Sequence, residues 1–478
     1  MELFLDNVGI IKNTSVKIDG LTVITGKNNA GKTTVGKVMF SLIRSVGNAE
    51  KEHENDKRDY IIEQLDKITV LLLKNGMLRD FFNEAAIVKD NTESYLDILD
   101  NSLYYNFPIK KLISLLLETE QNLPQLTIND YQNFISRNYT FINTRKKINK
   151  VDTKQFNKYK ETALDICRQT LRTIKEDKTF EHFVNDRIKA YLNKEFSGQV
   201  NPVRKPGIVA YMCIKEAEHS FLQVKVKNNL IFESENQALV GFPYKYTFFI
   251  DDPAVLDHIS DGNLDVFTDG GQLFLRKNSV LSHRGHLAAT LSECGHQNFF
   301  VKLDLQNRYQ PVLDKINFIV PGTYQKTKDG DFYILEKAQL KVQNLAAGSK
   351  LFFVLKMLLT NGKLNDETVL ILDEPEAHLH PEWINKFAEI LVLLIKELKL
   401  CVLLTTHSPN LLLALEYYSK TYSIFDNAHF YLTQPVNKNS WAATLECIDD
   451  DINKGYAHLS IPLIEMSLRQ KSVREKEY

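Results

Sequence analysis

The chain has 478 residues, of which 44% are hydrophobic and 25% charged, a length and composition that suit two or three structural units around a large core. A formal net charge of -1 excludes a chain drawn to nucleic acid by its overall field, so DNA contact would have to come from a local patch. The five cysteines are scattered, and neither a basic-then-apolar N-terminus nor an apolar run of ~20 residues is present, which predicts reduced thiols in a cytoplasmic protein with no membrane partner.

Residues 1–25 alternate and turn like strands, ending in Leu21-Thr-Val-Ile24-Thr and running straight into Gly26. A helix follows, with Val35, Val38, Met39, Leu42 and Ile43 at helical spacing, and a polar stretch at 47–56 marks the exit from this first segment. From 57 to about 200 the segments IIEQLDKITVLLL, YLDILDNSLYY, IKKLISLLLETE and YKETALDICRQTLRTI repeat apolar residues three and four apart. They are broken by Pro108 and Pro124 and sustain no heptad repeat, which predicts a compact helical insertion rather than a long coiled coil. Beyond Pro202 the pattern changes to strands: FLQVKVKNNLIFES, YKYTFFIDDP, a hairpin at DVFTDGGQLFLRK, and another hairpin within 310–345. The last portion returns to α/β alternation, with helices at 349–360, 382–398 and 409–417 and strands at 368–373 and 400–405.

Gly26-Lys27-Asn28-Asn29-Ala30-Gly31-Lys32-Thr33 matches GxxxxGK[ST] at every fixed position, and Thr34 continues it into the helix. A strand enters and a helix leaves, so the backbone N–H groups and the helix N-terminus can surround phosphates. Lys32 is expected to reach the β- and γ-phosphates of ATP and the Thr33 hydroxyl to coordinate Mg²⁺. Val369-Leu-Ile-Leu372 reads as a strand covered on both faces, and it ends in Asp373 and Glu374. Carboxyl ends of parallel strands carry the chemistry of such sheets. Asp373 is therefore expected on Mg²⁺, and Glu374 at the attacking water. Strand 400–405 leads to His407 at the same edge, placed to contact the γ-phosphate or orient the water. Asn344-Leu-Ala346-Ala347-Gly348-Ser349-Lys350 is a glycine-centred turn opening an apolar helix, a second candidate anion-binding terminus.

The order of phosphate loop, long insertion, glycine-centred turn, LDEPEAHLHP and TTHSP resembles the ABC-type ATPases of the RecF, SMC and OLD branch, over roughly the first 45 residues and 340–415. The resemblance implies an α/β P-loop core with a mixed sheet and an antiparallel β subdomain, assembled from 1–50 and 205–478 around a mostly helical insertion at 51–204. It also implies a head-to-tail homodimer or higher oligomer. In that dimer Lys32, Thr33, Asp373, Glu374 and His407 act on one side of ATP, and Ala346, Ala347, Gly348 and Ser349 of the other copy on the far side. Ala346 and Ala347 depart from the family's usual serine and glycine. The family's Q-loop residue has no clear match in this sequence, and Asp251 and Asp252, after the strand TFFI, are the candidates to replace it. In size and in the EPEAHLHP stretch the chain is similar to the standalone ATPases of bacterial antiphage systems, such as those of Septu and PARIS. That implies a sensor or regulatory ATPase beside a separate effector such as an HNH nuclease; a RecF-like DNA-binding repair ATPase is the alternative.

Weaker signals remain. His283 and His286, with Cys294 and His296 downstream, match no standard zinc spacing and read as an amphipathic helix. Arg145 to Lys147, Lys150, Lys154, Lys158 and Lys160, interleaved with Phe156 and Tyr159, are the most basic stretch and read either as a solvated helix face or as a track for phosphates. Asp449, Asp450 and Asp451 lack the strand context of a nuclease centre.

Overall fold

A computed structural model describes residues 1–74, 107–128, 153–175, 179–217, 219–235, 241–259, 280–294, 299–327, 330–437 and 440–474. They form two compact units, Met1–Asn48 with Val184–Tyr478, and Ala49–Phe183.

The chain opens with β1 (Glu2–Asp6), β2 (Thr14–Lys17) and β3 (Leu21–Thr25), followed by α1 (Lys32–Val46). The second unit holds α2 (Ala49–Thr69), α3 (Ile109–Asn122) and α4 (Thr153–Lys175). Their apolar stripes interlock: Ile61, Leu65 and Ile68 of α2, Leu112 and Leu116 of α3, and Phe156, Leu164 and Cys167 of α4 share one core. Phe156 therefore faces inward and not toward a phosphate track, and Lys160 reaches the carbonyls of Pro124 and Leu126 at 3.2 and 3.4 Å. Arg145 to Lys147 and Lys150 lie outside the described residues, as does YLDILDNSLYY.

From Val184 onward, α5 (Thr179–Phe196) belongs to the first unit, so the units divide at Phe183/Val184 whereas the sequence suggested 204. The physical reason is a set of bonds to α1: Arg187 donates to the carbonyls of Arg44 and Ser45 at 2.6 and 3.0 Å. Then come β4 (Ala210–Glu216), β5 (His219–Lys227) and β6 (Leu230–Glu235). With β1 and β2 they make an antiparallel sheet in the order β2-β1-β4-β5-β6.

β7 (Tyr246–Ile250), α6 (His283–Ser292) and α7 (Phe299–Ile319) follow. The expected hairpin at DVFTDGGQLFLRK lies outside the described residues. The hairpin expected within 310–345 is a three-stranded antiparallel sheet, β8 (Thr323–Thr327), β9 (Gly330–Leu335) and β10 (Ala338–Lys341). Residues 310–319 instead finish α7, which kinks at Tyr309 ahead of Pro311, where the proline ring disrupts the preceding turn.

The remaining chain gives α8 (Ala347–Thr360), β11 (Thr368–Asp373), α9 (Pro381–Leu398), β12 (Cys401–Thr406), α10 (Pro409–Thr421), β13 (Ala428–Pro435), β14 (Ala443–Cys447) and α11 (Asn453–Arg474). The main sheet runs β14-β13-β3-β12-β11-β7, parallel except for β14. Alternate residues of each strand face opposite sides. Phe248, Leu370, Leu372, Val402 and Leu404 join the buried faces of α8, α9 and α10. On the other side α1 comes close enough that a β-carbon on Gly36 would lie 3.1 Å from Ile371 and 3.3 Å from Phe249. Covered on both sides, the central strands are almost entirely buried and carry apolar runs such as Val369–Leu372 and Cys401–Leu404, which is why the sequence displayed them so clearly. The structure is thus α/β, a P-loop core with a mixed sheet and antiparallel sheets. Among the described residues no helix is long and apolar enough to cross a membrane.

Candidate nucleotide site

Register places four strand ends along one edge of the sheet. Thr25 pairs with Thr406, Thr405 with Asp373, and Leu372 with Ile250, so the chain leaves the sheet side by side at Gly26, His407, Glu374 and Asp251. The loop from Gly26 to Thr33 needs its glycines. Gly26 has φ 145°, and a β-carbon there would lie 1.8 Å from the Thr433 hydroxyl. Gly31, at φ 86°, caps α1 with its backbone, and a β-carbon would lie 2.4 Å from Ile11.

Lys32 starts α1 and is only 4% exposed. Its ammonium donates to the carbonyls of Gly26 and Lys27 at 3.2 and 3.0 Å and lies 3.3 Å from Glu374 Oε1. Next to it the Thr33 hydroxyl donates to Asp373 Oδ2 at 2.7 Å, while the Thr405 hydroxyl holds Asp373 Oδ1. Glu374 has left-handed backbone angles, φ 50° and ψ 50°, costly for a residue with a β-carbon, on the order of 1–3 kcal/mol. Its N–H bonds to the Thr405 carbonyl at 3.0 Å, which holds that conformation. The carboxylate then spans two partners, Lys32 through Oε1 and His407 Nδ1 through Oε2 at 3.2 Å.

Sequence reasoning missed Glu376. Buried behind the edge, its Oε1 accepts from the Thr406 hydroxyl at 2.6 Å and from the His407 N–H at 3.0 Å. Glu376 thereby fixes the turn carrying His407. The spacing Glu374-Pro-Glu376 after a buried strand was the available signal. A cavity of about 590 Å³ opens over the phosphate loop, lined by residues 28–34, Gly9, Ile10, Phe196, Gln199 and Glu374. Phe196 and Gln199 were also missed, because the helical periodicity around them gave no reason to assign them to the core.

The two acidic candidates after β7 are already engaged. Asp252 caps the turn that follows, accepting from the Ala254 N–H at 2.8 Å. Asp251 takes a two-pronged bond from Arg284 and lies 3.1 Å from His283 Nε2. His283 Nδ1 meets buried Glu195 at 2.6 Å. Burial opposes charge on the His283 ring, but hydrogen bonds and charges from Asp251 and Glu195 outweigh it and raise the pKa to about 9. Burial also opposes charge on Asp251, yet bonds from His283 and Arg284 hold its carboxyl well below the usual carboxylate range. His286 stacks on Phe248 at 5.7 Å, and burial drives its pKa far down. His296 lies outside the described residues, and among those described no cluster of three or more metal-ligating side chains occurs. Asp449 is structural, accepting from the Phe430 N–H and lying 2.9 Å from His429 Nδ1.

Ala346 caps α8, so Ala347, Gly348 and Ser349 form the first helical turn, not a separate loop. A β-carbon on Gly348 would lie 2.9 Å from the His378 carbonyl, so this turn packs against the segment after Glu374. None of the three lines the phosphate-loop cavity.

No curated protein matches the sequence. Among solved structures, the SMC head domain from Thermotoga maritima is similar at 10% identity and a TM-score of 0.34, covering 94% of this chain and 98% of that one. The SmcHead bound to the C-winged helix domain of ScpA is similar at 8% and 0.39, covering 95% and 98%. The Smc head domain with an extended coiled coil bound to the C-terminal domain of ScpA derived from Pyrococcus furiosus is similar at 10% and 0.31, covering 99% and 98%. A match to the AAA ATPase domain family spans residues 1–412, taking in the phosphate loop, Asp373, Glu374 and His407, and the chain therefore belongs to that family of ATPases.

Proposed function

We propose that this chain hydrolyses ATP at the edge formed by Lys32, Glu374 and His407. The observation that carries the reading is the unbroken line from Lys32 through Glu374 to His407, at 3.3 and 3.2 Å. Lys32 compensates the β- and γ-phosphate charge, which in this reaction class grows at the transferred group. Glu374 polarises the attacking water, and His407, fixed by Glu376, orients it. Thr33 and Asp373, two oxygen ligands 2.7 Å apart, fit a hard divalent cation, and Mg²⁺ held there would neutralise charge on the phosphate oxygens.

The first turn of α8 lies outside the cavity of its own chain. That supports a head-to-tail dimer in which Ala347, Gly348 and Ser349 of a second copy close over ATP. Ordered this way, ATP binding drives association, and hydrolysis releases it. The wider role is a cytoplasmic sensor or regulatory ATPase of an antiphage system, of the Septu or PARIS kind, controlling a separate effector nuclease. Support comes from inventory: the only carboxylate set assembled at the sheet edge among the described residues is engaged in this site or in ion pairs. A duplex-binding repair role has less support, since Phe156 of the basic stretch is core.

The test is Glu374→Gln, which keeps shape but removes the base. ATP should bind, persist and accumulate dimers in size-exclusion light scattering. An unchanged turnover rate with no ATP-dependent dimer would overturn the assignment.

A further inference from the structure

The cavity over the phosphate loop has two kinds of wall. Residues 28–34 offer backbone N–H groups, an ammonium and hydroxyls, all suited to phosphate. Ile10, Phe196 and Gln199 offer an aliphatic chain, an aromatic ring and a carboxamide, for which a triphosphate has no use. We infer that Phe196 and Gln199 form the nucleobase subsite, the ring of Phe196 stacking on adenine and the Gln199 carboxamide pairing with its edge. The inference rests on the ATPase reading above and specifies which nucleotide that site takes.

The backbone holds this platform in place without spending either side chain. α5 ends at Phe196, and left-handed Ser197 and Gly198, at φ 48° and 74°, reverse the chain. The Gly198 N–H bonds to the Asn193 carbonyl at 3.0 Å and the Gln199 N–H to the Phe196 carbonyl at 2.9 Å. The Gly9 N–H bonds to the Val200 carbonyl at 2.9 Å, tying the turn to the loop that carries Ile10. One residue before Phe196, Glu195 is pinned three times. Its carboxylate takes the His283 N–H at 2.7 Å and meets His283 Nδ1 at 2.6 Å, and its carbonyl accepts from Lys37 of α1 at 3.1 Å. Phe196 is left half-buried and Gln199 exposed. With its backbone fixed this firmly, Phe196 has only its two side-chain torsions left to lose on stacking.

The carboxamide selects the base. Gln presents one donor and one acceptor side by side, which matches the amino group and ring nitrogen of adenine. Guanine presents two acceptors on the corresponding edge and can use only the donor.

The experiment is calorimetric titration of the full chain with the imido analogues of ATP and GTP and with inorganic tripolyphosphate, each with Mg²⁺. Phe196→Ala should weaken the ATP analogue about tenfold, the loss of one aromatic stack, while tripolyphosphate binding stays as in the wild type. Phe196→Tyr should restore the ATP analogue, and Gln199→Ala should shrink the preference for the ATP over the GTP analogue. Equal losses for the ATP analogue and tripolyphosphate in Phe196→Ala, or no loss for either, would overturn the subsite while leaving the ATPase reading intact. Failure of the wild type to bind both the ATP analogue and tripolyphosphate would instead overturn the ATPase reading, and the subsite with it.

Discussion

His283 offers a quantitative check on the electrostatics that brace the site. Replacing it with alanine removes the imidazolium between Glu195, whose side chain is 1% exposed, and Asp251, at 19%. Burial disfavours the charged ring, and the two carboxylates overcome that, lifting its pKa from 6.5 to about 9. At 1.36 kcal/mol per unit this amounts to on the order of 3 kcal/mol at neutral pH, comparable with the 3–5 kcal/mol typical of breaking a buried ion pair. Because the folded pKa is raised, the contribution is complete below the unfolded value of 6.5 and fades as pH rises through about 9. Chemical denaturation of wild type and His283→Ala at pH 7 and pH 10 measures this directly. The variant should unfold at lower denaturant at pH 7, and the gap should narrow at pH 10. A gap as large at pH 10 as at pH 7 would refute the charged His283 pair.

Lys32→Ala should abolish ATP hydrolysis and weaken ATP binding, because the β- and γ-phosphate charge loses its ammonium; a wild-type rate in the purified variant would sink the phosphate-loop assignment. Glu376→Ala should cut the ATPase rate by at least about tenfold with little change in ATP affinity, because it frees the turn carrying His407 without touching the phosphate loop; steady-state kinetics giving an unchanged kcat would show that the anchor is dispensable. The purified chain should leave single- and double-stranded DNA and RNA intact with ATP and either Mg²⁺ or Mn²⁺. Cleavage that persists in Glu374→Gln would reveal a second active site.

The sequence alone determined the pieces whose geometry is local. A glycine-framed loop between a buried strand and a helix is set by a few consecutive residues, and Gly26, Gly31, Lys32 and Thr33 occupy it as the pattern requires. Asp373, Glu374 and His407 were legible because they stand at or just past the ends of strands whose apolar runs, Val369–Leu372 and Cys401–Leu404, only a doubly covered strand explains. The strands β13 and β14 were not picked out, and it is β13, lying parallel to β3, whose Thr433 crowds Gly26.

What only the tertiary structure decided is which distant groups share a charge or a hydrogen bond. Thr33 meets Asp373 across 340 residues, Asp251 gives itself to Arg284, and Glu376 turns back to hold His407. Phe196 and Gln199 reach the cavity because α5 is bonded to α1 and α6, although their neighbours read as part of a helical insertion. Such partnerships have no sequence period. They arise where strand register and helix packing bring side chains within 3 Å, and a buried charge then takes the partner that the fold supplies.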